Sequence, residues 1–346
     1  MIKLNETPVR TSKNFGINNI KLDDIEFPRG LNEFKNVTVE SGKSKLVQIG
    51  PDTELVYGLG DVAIDNVNSE CNCGIRLNVD NNDDVRVVFD FDDDNTELVD
   101  FIEINADANA NIVIEYNSKT DKKCFHNGIL KLNASAGSNV NVVIVNLLNE
   151  SSLNFEAIEN DIAENASVNF TVIDIGAKTS VSNYYSNLIG NGGKNEIKTV
   201  YLGTDNQVKD INYIAELWGE KTDINIDVQG ALKNNSKKNF KGTIDFKKGC
   251  KKAVGNENEY CMLLSDDSKS IALPMLLCSE DDVEGNHSTA SGKVDNSELF
   301  YIMSRGIDYS DAVKLIVKAR FNEIINRIKD EELRDKILGE IDRRLN

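Results

Sequence analysis

Nowhere in the 346 residues is there a run of about 18 apolar residues, so no transmembrane helix is expected. The opening residues, MIKLNETPVRTSKNFG, contain no apolar stretch of the kind a signal peptide needs, and a cytoplasmic protein is expected. Basic residues are few: 39 Lys and Arg stand against 57 Asp and Glu, for a net charge of −18. Such a field repels phosphate backbones, which argues against a nucleic-acid partner. With four prolines in the chain, long disordered linkers are not expected. The six cysteines (Cys71, Cys73, Cys124, Cys250, Cys261, Cys278) are too scattered to frame a disulfide-rich domain. His126 and His287 are the two histidines, and neither sits in a nucleophile-elbow context. A phosphate-binding loop is also missing. Gly190-Asn-Gly-Gly-Lys194 lacks the first glycine and the hydroxyl residue, and Gly285 to Lys293 has the wrong spacing. If ATP is used, another subunit hydrolyses it.

What the chain does contain is short β-rich runs separated by Asn, Asp and Gly. Val85 to Phe91, Ile112 to Tyr116, Val140 to Val145 and Ile224 to Val228 are examples. The runs beginning at Asn111, Asn141, Asn169, Asn195 and Asp223 follow one another at spacings of 30, 28, 26 and 28 residues. A period near 28 with about two strands per unit suits a solenoid of stacked coils. An antiparallel sandwich with evenly spaced turns is the alternative. A βαβ fold is disfavoured, because no amphipathic helix separates the runs. Three regions are expected: an N-terminal arm or cap over 1–50, a β core over 51–295 and a helical C-terminal domain over 296–346. Helix is expected only beyond 296 or within the N-terminal arm. One helix should run to Ser304 after a cap at Asp295, Asn296 or Ser297, a second should start near Asp308 or Ser310, and a third should cover Glu331 to Leu345.

The chemically suggestive residues gather late. Cys71-Asn-Cys73 and Cys124-Phe-His126 are weak as metal clips, since alternate residues of a strand explain both. Cys250, Cys261, Cys278 and His287 all precede the helical tail. Thiolates and imidazole suit iron–sulfur clusters or zinc, but no local clip holds these four together. His287 lies in Gly285-Asn-His-Ser-Thr-Ala-Ser-Gly292, which has the small, polar, glycine-bracketed character of a turn.

From about 230 to 330 the residues resemble the SufB/SufD family of iron–sulfur cluster assembly scaffolds. Gly242 with Ile244 is similar to the family's F-x-G-x-I strand, and Met262-Leu-Leu-Ser265 to its N-L-L-L-S step. Pro274 with Asp281-Asp-Val283 resembles P-x-L-E-I-x-A-D-D-V, and His287-Ser-Thr-Ala-Ser-Gly292 resembles S-H-G-A-T-V-G. Leu299-Phe-Tyr301 with Ser304-Arg-Gly-Ile307 matches L-F-Y-L-x-S-R-G-I. A weaker echo lies in Arg10 to Asp23. The resemblance implies a mainly β protein: a right-handed parallel β-helix core with a helical C-terminal domain. It implies pairing through the ends of the cores, as a homodimer or with a homologous SufB-type subunit, and docking of a SufC-type ABC ATPase on the helical region. It also implies an iron–sulfur cluster bound transiently at the subunit interface, with His287 on the family's histidine.

The chain departs from the SufB-type pattern at two points. Glu259 stands where that pattern has its cysteine, with Cys261 two positions along, and Ser288 replaces the glutamate after the histidine. Cys261 and His287 are therefore the leading cluster-ligand candidates, with Cys278 and Cys250 in reserve. Leu299, Phe300, Arg305, Leu315 and Ile316 are the partner-binding candidates. The expected function is a non-catalytic assembly scaffold. The competing readings are a SufD-type stabilising subunit that never touches a cluster, a cytosolic β-solenoid binding protein and a carbohydrate-active β-helix enzyme. The last needs exposed aromatic rows, which nine Tyr and one Trp without a regular repeat do not supply.

Overall fold

The computed structural model describes residues 1–11, 16–80 and 82–346, so the weaker echo in Arg10 to Asp23 lies partly outside the described residues. The chain opens with β1 (Ile2–Leu4) and β2 (Ile20–Leu22), an antiparallel pair, followed by β3 (Val37–Ser41), β4 (Lys45–Gln48) and helix α1 (Asp61–Glu70). Eight coils follow, each giving one strand to each of two sheets. The first four are β5 (Cys73–Val79) with β6 (Asp83–Phe91), β7 (Glu97–Ala106) with β8 (Ala110–Ser118), β9 (Phe125–Ala134) with β10 (Asn139–Leu147), and β11 (Leu153–Ile162) with β12 (Ser167–Asp174). The second four are β13 (Thr179–Leu188) with β14 (Lys194–Gly203), β15 (Val208–Leu217) with β16 (Asp223–Leu232), β17 (Lys237–Phe246) with β18 (Ala253–Leu263), and β19 (Lys269–Cys278) with β20 (Val283–Lys293). Helices α2 (Asn296–Met303), α3 (Tyr309–Ile325) and α4 (Glu331–Leu345) end the chain.

Even-numbered strands from β6 to β20 form one parallel sheet, and odd-numbered strands from β5 to β19 the other. This alternation makes the architecture a β-solenoid. Coils stay in register because identical polar side chains stack outside. Asn169 donates to Asn141 at 3.1 Å, Asn141 to Asn111 at 3.1 Å, and Asn111 to Asp84 at 2.6 Å. The period seen in the sequence is this ladder, with one correction. Asn195 is not its next rung: Glu196 pairs with Asn169, while Asn195 turns inward and donates to the carbonyl of Val168.

Apolar side chains fill three layers. Inward residues such as Val87, Ile114, Ile144, Phe170, Ile197 and Ile226 make the axial core. A second layer lies outside the even sheet, where Val145, Ile173, Val200 and Met262 meet Ile316, Phe321, Ile324 and Ile337 of the C-terminal helices. A third lies outside the odd sheet, under the N-terminal arm and α1. The arm is pinned there by a buried cluster. Lys241 Nζ reaches Asp210 Oδ1 at 2.6 Å and the Asn5 carbonyl at 2.8 Å, and Asn5 Nδ2 donates to Asp210 at 2.7 Å.

Two further expectations are corrected. Helix α1 falls in the stretch expected to be β core, although helix was expected only in the arm over 1–50 or beyond 296. Its one buried stripe (Ala63, Asn66, Val67) is too polar to signal a helix, and it holds through tertiary contacts, with Asn127 donating to Ala63 O and Asn66. The Gly285–Gly292 segment is not a turn but most of strand β20. The edge of β18 supplies a template that pairs residues 253–263 with 283–293, and neither flanking glycine has positive φ. The C-terminal boundaries came out as expected. Asp295, Asp308 and Asp330 cap α2, α3 and α4 by accepting from backbone N–H groups of the first turns.

Candidate functional site at the open end of the solenoid

The two ends of the solenoid are built differently. At the start, β3 and β4 pair antiparallel with β6 and β5 and cover both sheet edges. At the finish, β20 and β19 are the terminal strands of their sheets, and no strand among the described residues pairs beyond them. His287 lies on this last coil.

Register fixes which side chains meet there, because parallel-paired residues share a face. On β18, Glu257, Glu259 and Cys261 occupy alternate positions and all are buried, Cys261 within the axial core. Their partners on β20 are His287, Thr289 and Ser291. His287 therefore faces the axis, but no described residue stacks above it and it is exposed. Cys261 is roofed by the last coil, where Ser270 Oγ and Ser291 Oγ lie 2.9 Å apart. Cys261 and His287 are thus on neighbouring strands and one face, four register steps apart. At roughly 3.3 Å per residue that is about 13 Å, too far for one cluster to bridge within a single chain. The reserve candidates also stand apart. Cys250 is buried in the turn after β17, and Cys278 is exposed at the end of β19, its thiol donating to Glu280 O. Burial pushes the Cys261 thiol above its ordinary range, as it does for Cys250.

Beneath the last coil lies a charged interior. Lys238 Nζ meets Glu259 Oε1 at 2.7 Å, and both side chains are fully buried. Tyr201 donates to the same oxygen at 3.0 Å, its ring crossing the space that a side chain at Gly230 would fill. Glu257 is fully buried, and neither of its oxygens has a partner among the described residues. Burial, then the nearby Glu259, pushes its carboxyl up to about 8. The sequence reading missed Lys238, Tyr201 and Glu257, and noted Glu259 only as the residue in the place of a cysteine. The signal available was Glu-x-Glu-x-Cys, whose alternation puts all three on one face of a strand.

The other motifs resolve into packing. Cys73 packs against the axial core and Cys71 against the outer layer over the odd sheet, so the two thiols belong to different layers. His126 is fully buried, with its ring nitrogens 2.9 Å from Asp100 Oδ1 and 2.6 Å from Asn154 Oδ1. Burial alone would lower its pKa, but the adjacent Asp100 outweighs burial and raises it. Among the described residues no three His, Cys, Asp or Glu side chains converge as a metal site. Of the partner-binding candidates, Leu299 and Ile316 are each 8% exposed and pack into the layer between helices and solenoid. Phe300 (75%) and Leu315 (47%) are exposed, and Arg305 lies over the exposed Tyr301 ring at 4.9 Å.

A family model described as "SUF system FeS cluster assembly, SufBD core domain" matches residues 94–320. The iron-sulfur cluster assembly protein SufD of Bacillus subtilis is 28% identical over 166 residues, 48% of this chain and 38% of the relative. The protein of the same name from Escherichia coli is 30% identical over 106 residues, 31% of this chain and 25% of the relative. A SufBD family protein of Staphylococcus epidermidis is 26% identical over 154 residues, 44% and 33% of the two lengths. These matches span between 25% and 38% of the relatives' own lengths. The family match covers more than half of the chain, including seven of the eight coils, the histidine strand and most of α3, and the chain belongs to the SufBD core-domain family of the SUF iron–sulfur cluster assembly system.

Proposed function

We propose that this chain is a cytoplasmic, non-catalytic scaffold subunit for iron–sulfur cluster assembly, paired end to end with a second copy or a homologous SufB-type subunit. The observation that carries this reading is the uncapped end: two unpaired edge strands with His287 facing the axis. Unpaired strand edges are templates for another chain. A two-fold seam there brings a second set of the same side chains to one place, which offsets the distance between Cys261 and His287 within one chain. The buried thiol supplies a strong ligand for iron and the imidazole a more exchangeable one. The cluster is cargo and is handed on. Phe300, Tyr301, Arg305 and Leu315 are exposed on the helical region on which a SufC-type ABC ATPase docks, and ATP hydrolysis belongs to that partner. No helix among the described residues is long and apolar enough to cross a membrane.

The test is anaerobic reconstitution of the full chain with ferrous iron and sulfide, alone and with the ATPase, read by visible absorbance and co-purification. Cys261→Ser and His287→Ala should each reduce cluster loading. Absence of cluster in every condition, with no ATPase association, overturns the reading. ATPase association without any cluster leaves the stabilising SufD-type role in its place.

A further inference from the structure

Between α4 and the turns that follow β8 and β10 lies a cavity of about 460 Å³ whose charge differs from that of the rest of the molecule. Four cations line it (Lys119, Lys336, Arg343 and Arg344) against three carboxylates (Asp121, Glu150 and Glu340). That is a local excess of one positive charge in a chain of net charge −18. Basic residues in the last turn of a helix are expected from its dipole. What the dipole does not explain is Arg344. Its side chain is 1% exposed, and Nη1 makes no hydrogen bond among the described residues. The other two nitrogens are taken: Nε donates to Glu340 Oε1 at 2.7 Å and Nη2 to the Leu148 carbonyl at 3.0 Å. The acids nearby do not serve Nη1. Glu340 also accepts two bonds from Arg343, and Glu150 Oε1 is drawn to Arg343, which leaves it 3.7 Å from Nη1. A buried charged donor without an acceptor is costly, and Arg344 lines a cavity where one could enter. Lys336 Nζ uses two of its three hydrogens, on Glu115 at 2.9 Å and Asn117 at 2.8 Å. Lys119 stands at the exposed rim.

We propose that this cavity binds a hydrophilic small molecule carrying a phosphate or diphosphate group, held by Arg344 Nη1, Lys336 and Lys119. With Nε and Nη2 occupied, Arg344 has no free fork to offer a carboxylate. Single donors from three side chains suit the tetrahedral oxygens of a phosphate instead. Of the lining residues Leu147 alone is apolar and none is aromatic, so the body of the ligand is polar and carries no base to stack. The bound group ties α4 to the turns of the second and third coils. No residue of the last coil lines the cavity, and the site is independent of the assembly reading.

The test is isothermal titration calorimetry of the full chain at low ionic strength, with inorganic phosphate and pyrophosphate as probes, beside thermal melts with and without each. The wild type should bind one pyrophosphate per chain and melt higher in its presence. Arg344→Lys, which keeps the charge but withdraws Nη1, should weaken binding roughly tenfold or more. Lys119→Gln, on the exposed rim, should weaken it roughly two- to fivefold and should fold whatever the fate of Arg344→Lys. Lys178→Gln removes an exposed lysine outside the cavity, should leave binding unchanged, and so reports attraction by charge alone. Inorganic phosphate binding as tightly as pyrophosphate assigns the site to a single phosphate group, and tighter binding of pyrophosphate assigns it to a diphosphate. No pyrophosphate bound by the wild type, wild-type affinity in both Arg344→Lys and Lys119→Gln, or an equal loss in Lys178→Gln overturns the site. Arg343 and Arg344 are then only partners of Glu150 and Glu340.

Discussion

The first coil of the solenoid is closed and the last is open, although both are built from the same kind of strand. At the first coil β3 and β4 run antiparallel to β6 and β5 and use up their outer hydrogen-bonding edges. At the last coil those edges face outward, and the residues along β20 are small and polar: Gly285, Ser288, Thr289, Ala290, Ser291. Unpaired strand edges at both ends would template continued stacking, and the antiparallel strands at the first coil remove one of the two templates. The difference teaches that the two ends of one repeating architecture are set apart by what covers them.

The comparison can be broken most severely at the capped end. A chain beginning at residue 51 loses β3 and β4 and also Asn5, which leaves Lys241 and Asp210 uncovered outside the odd sheet. Stability should fall by on the order of 3–5 kcal/mol, and light scattering should show association beyond a dimer. A monodisperse dimer would mean that β3 and β4 do not control assembly.

The interior between the two ends gives the next largest effect. Glu156 lies mid-solenoid, and burial is the main cause that pushes its carboxyl up to about 7. A carboxyl whose folded pKa is raised favours the folded state fully below its unfolded value, near 4.5. That contribution is lost as pH rises through about 7. Glu156→Gln should therefore match the wild type near pH 4 and gain on it up to pH 8, by roughly 2–3 kcal/mol. Glu257→Gln at the open end should follow the same sign, with its window extending to about 8. Parallel melting curves across pH check both, and a constant difference between variant and wild type would contradict the assignment.

At the open end itself, Thr289→Lys puts a charge on the unpaired coil. It should abolish pairing in sedimentation while costing less than about 1 kcal/mol of stability, because nothing stacks on that coil. The smallest stability effect belongs to the helices. Leu315→Ala, at an exposed position, should change stability by less than about 0.5 kcal/mol and weaken ATPase association. Ile316→Ala, one residue on and buried, should cost roughly 2–5 kcal/mol. Equal stability effects at the two positions would contradict the orientation of α3.

Much of the fold was legible because the solenoid repeats its strand chemistry at a nearly constant interval. Asn111, Asn141 and Asn169 are rungs of one ladder, and a side chain stacked on its own kind leaves a period in the sequence. The helix starts were legible because an aspartate cap acts within one turn of chain. Helix α1 was not, since its short buried stripe includes the polar Asn66 and its partner, Asn127, lies far along the chain. Nor was strand β20, where local composition favoured a turn and pairing with β18 outweighed it. The polar interior was the least legible. His126, Asn154, Ser180, Lys209, Lys238 and Ser270 stack one above another along the axis. In the sequence each looks like a residue from the solvent face of a strand.

The sequence by itself determined the strands, their interval, the late helices and the family likeness around His287, because these depend on contacts repeated locally or at a fixed offset. Only the tertiary structure decided which strand faces point inward, which end is open, and that Glu257 is buried without a partner beside His287. Those outcomes depend on register, and a slip of one residue exchanges the two faces of a strand without altering its composition.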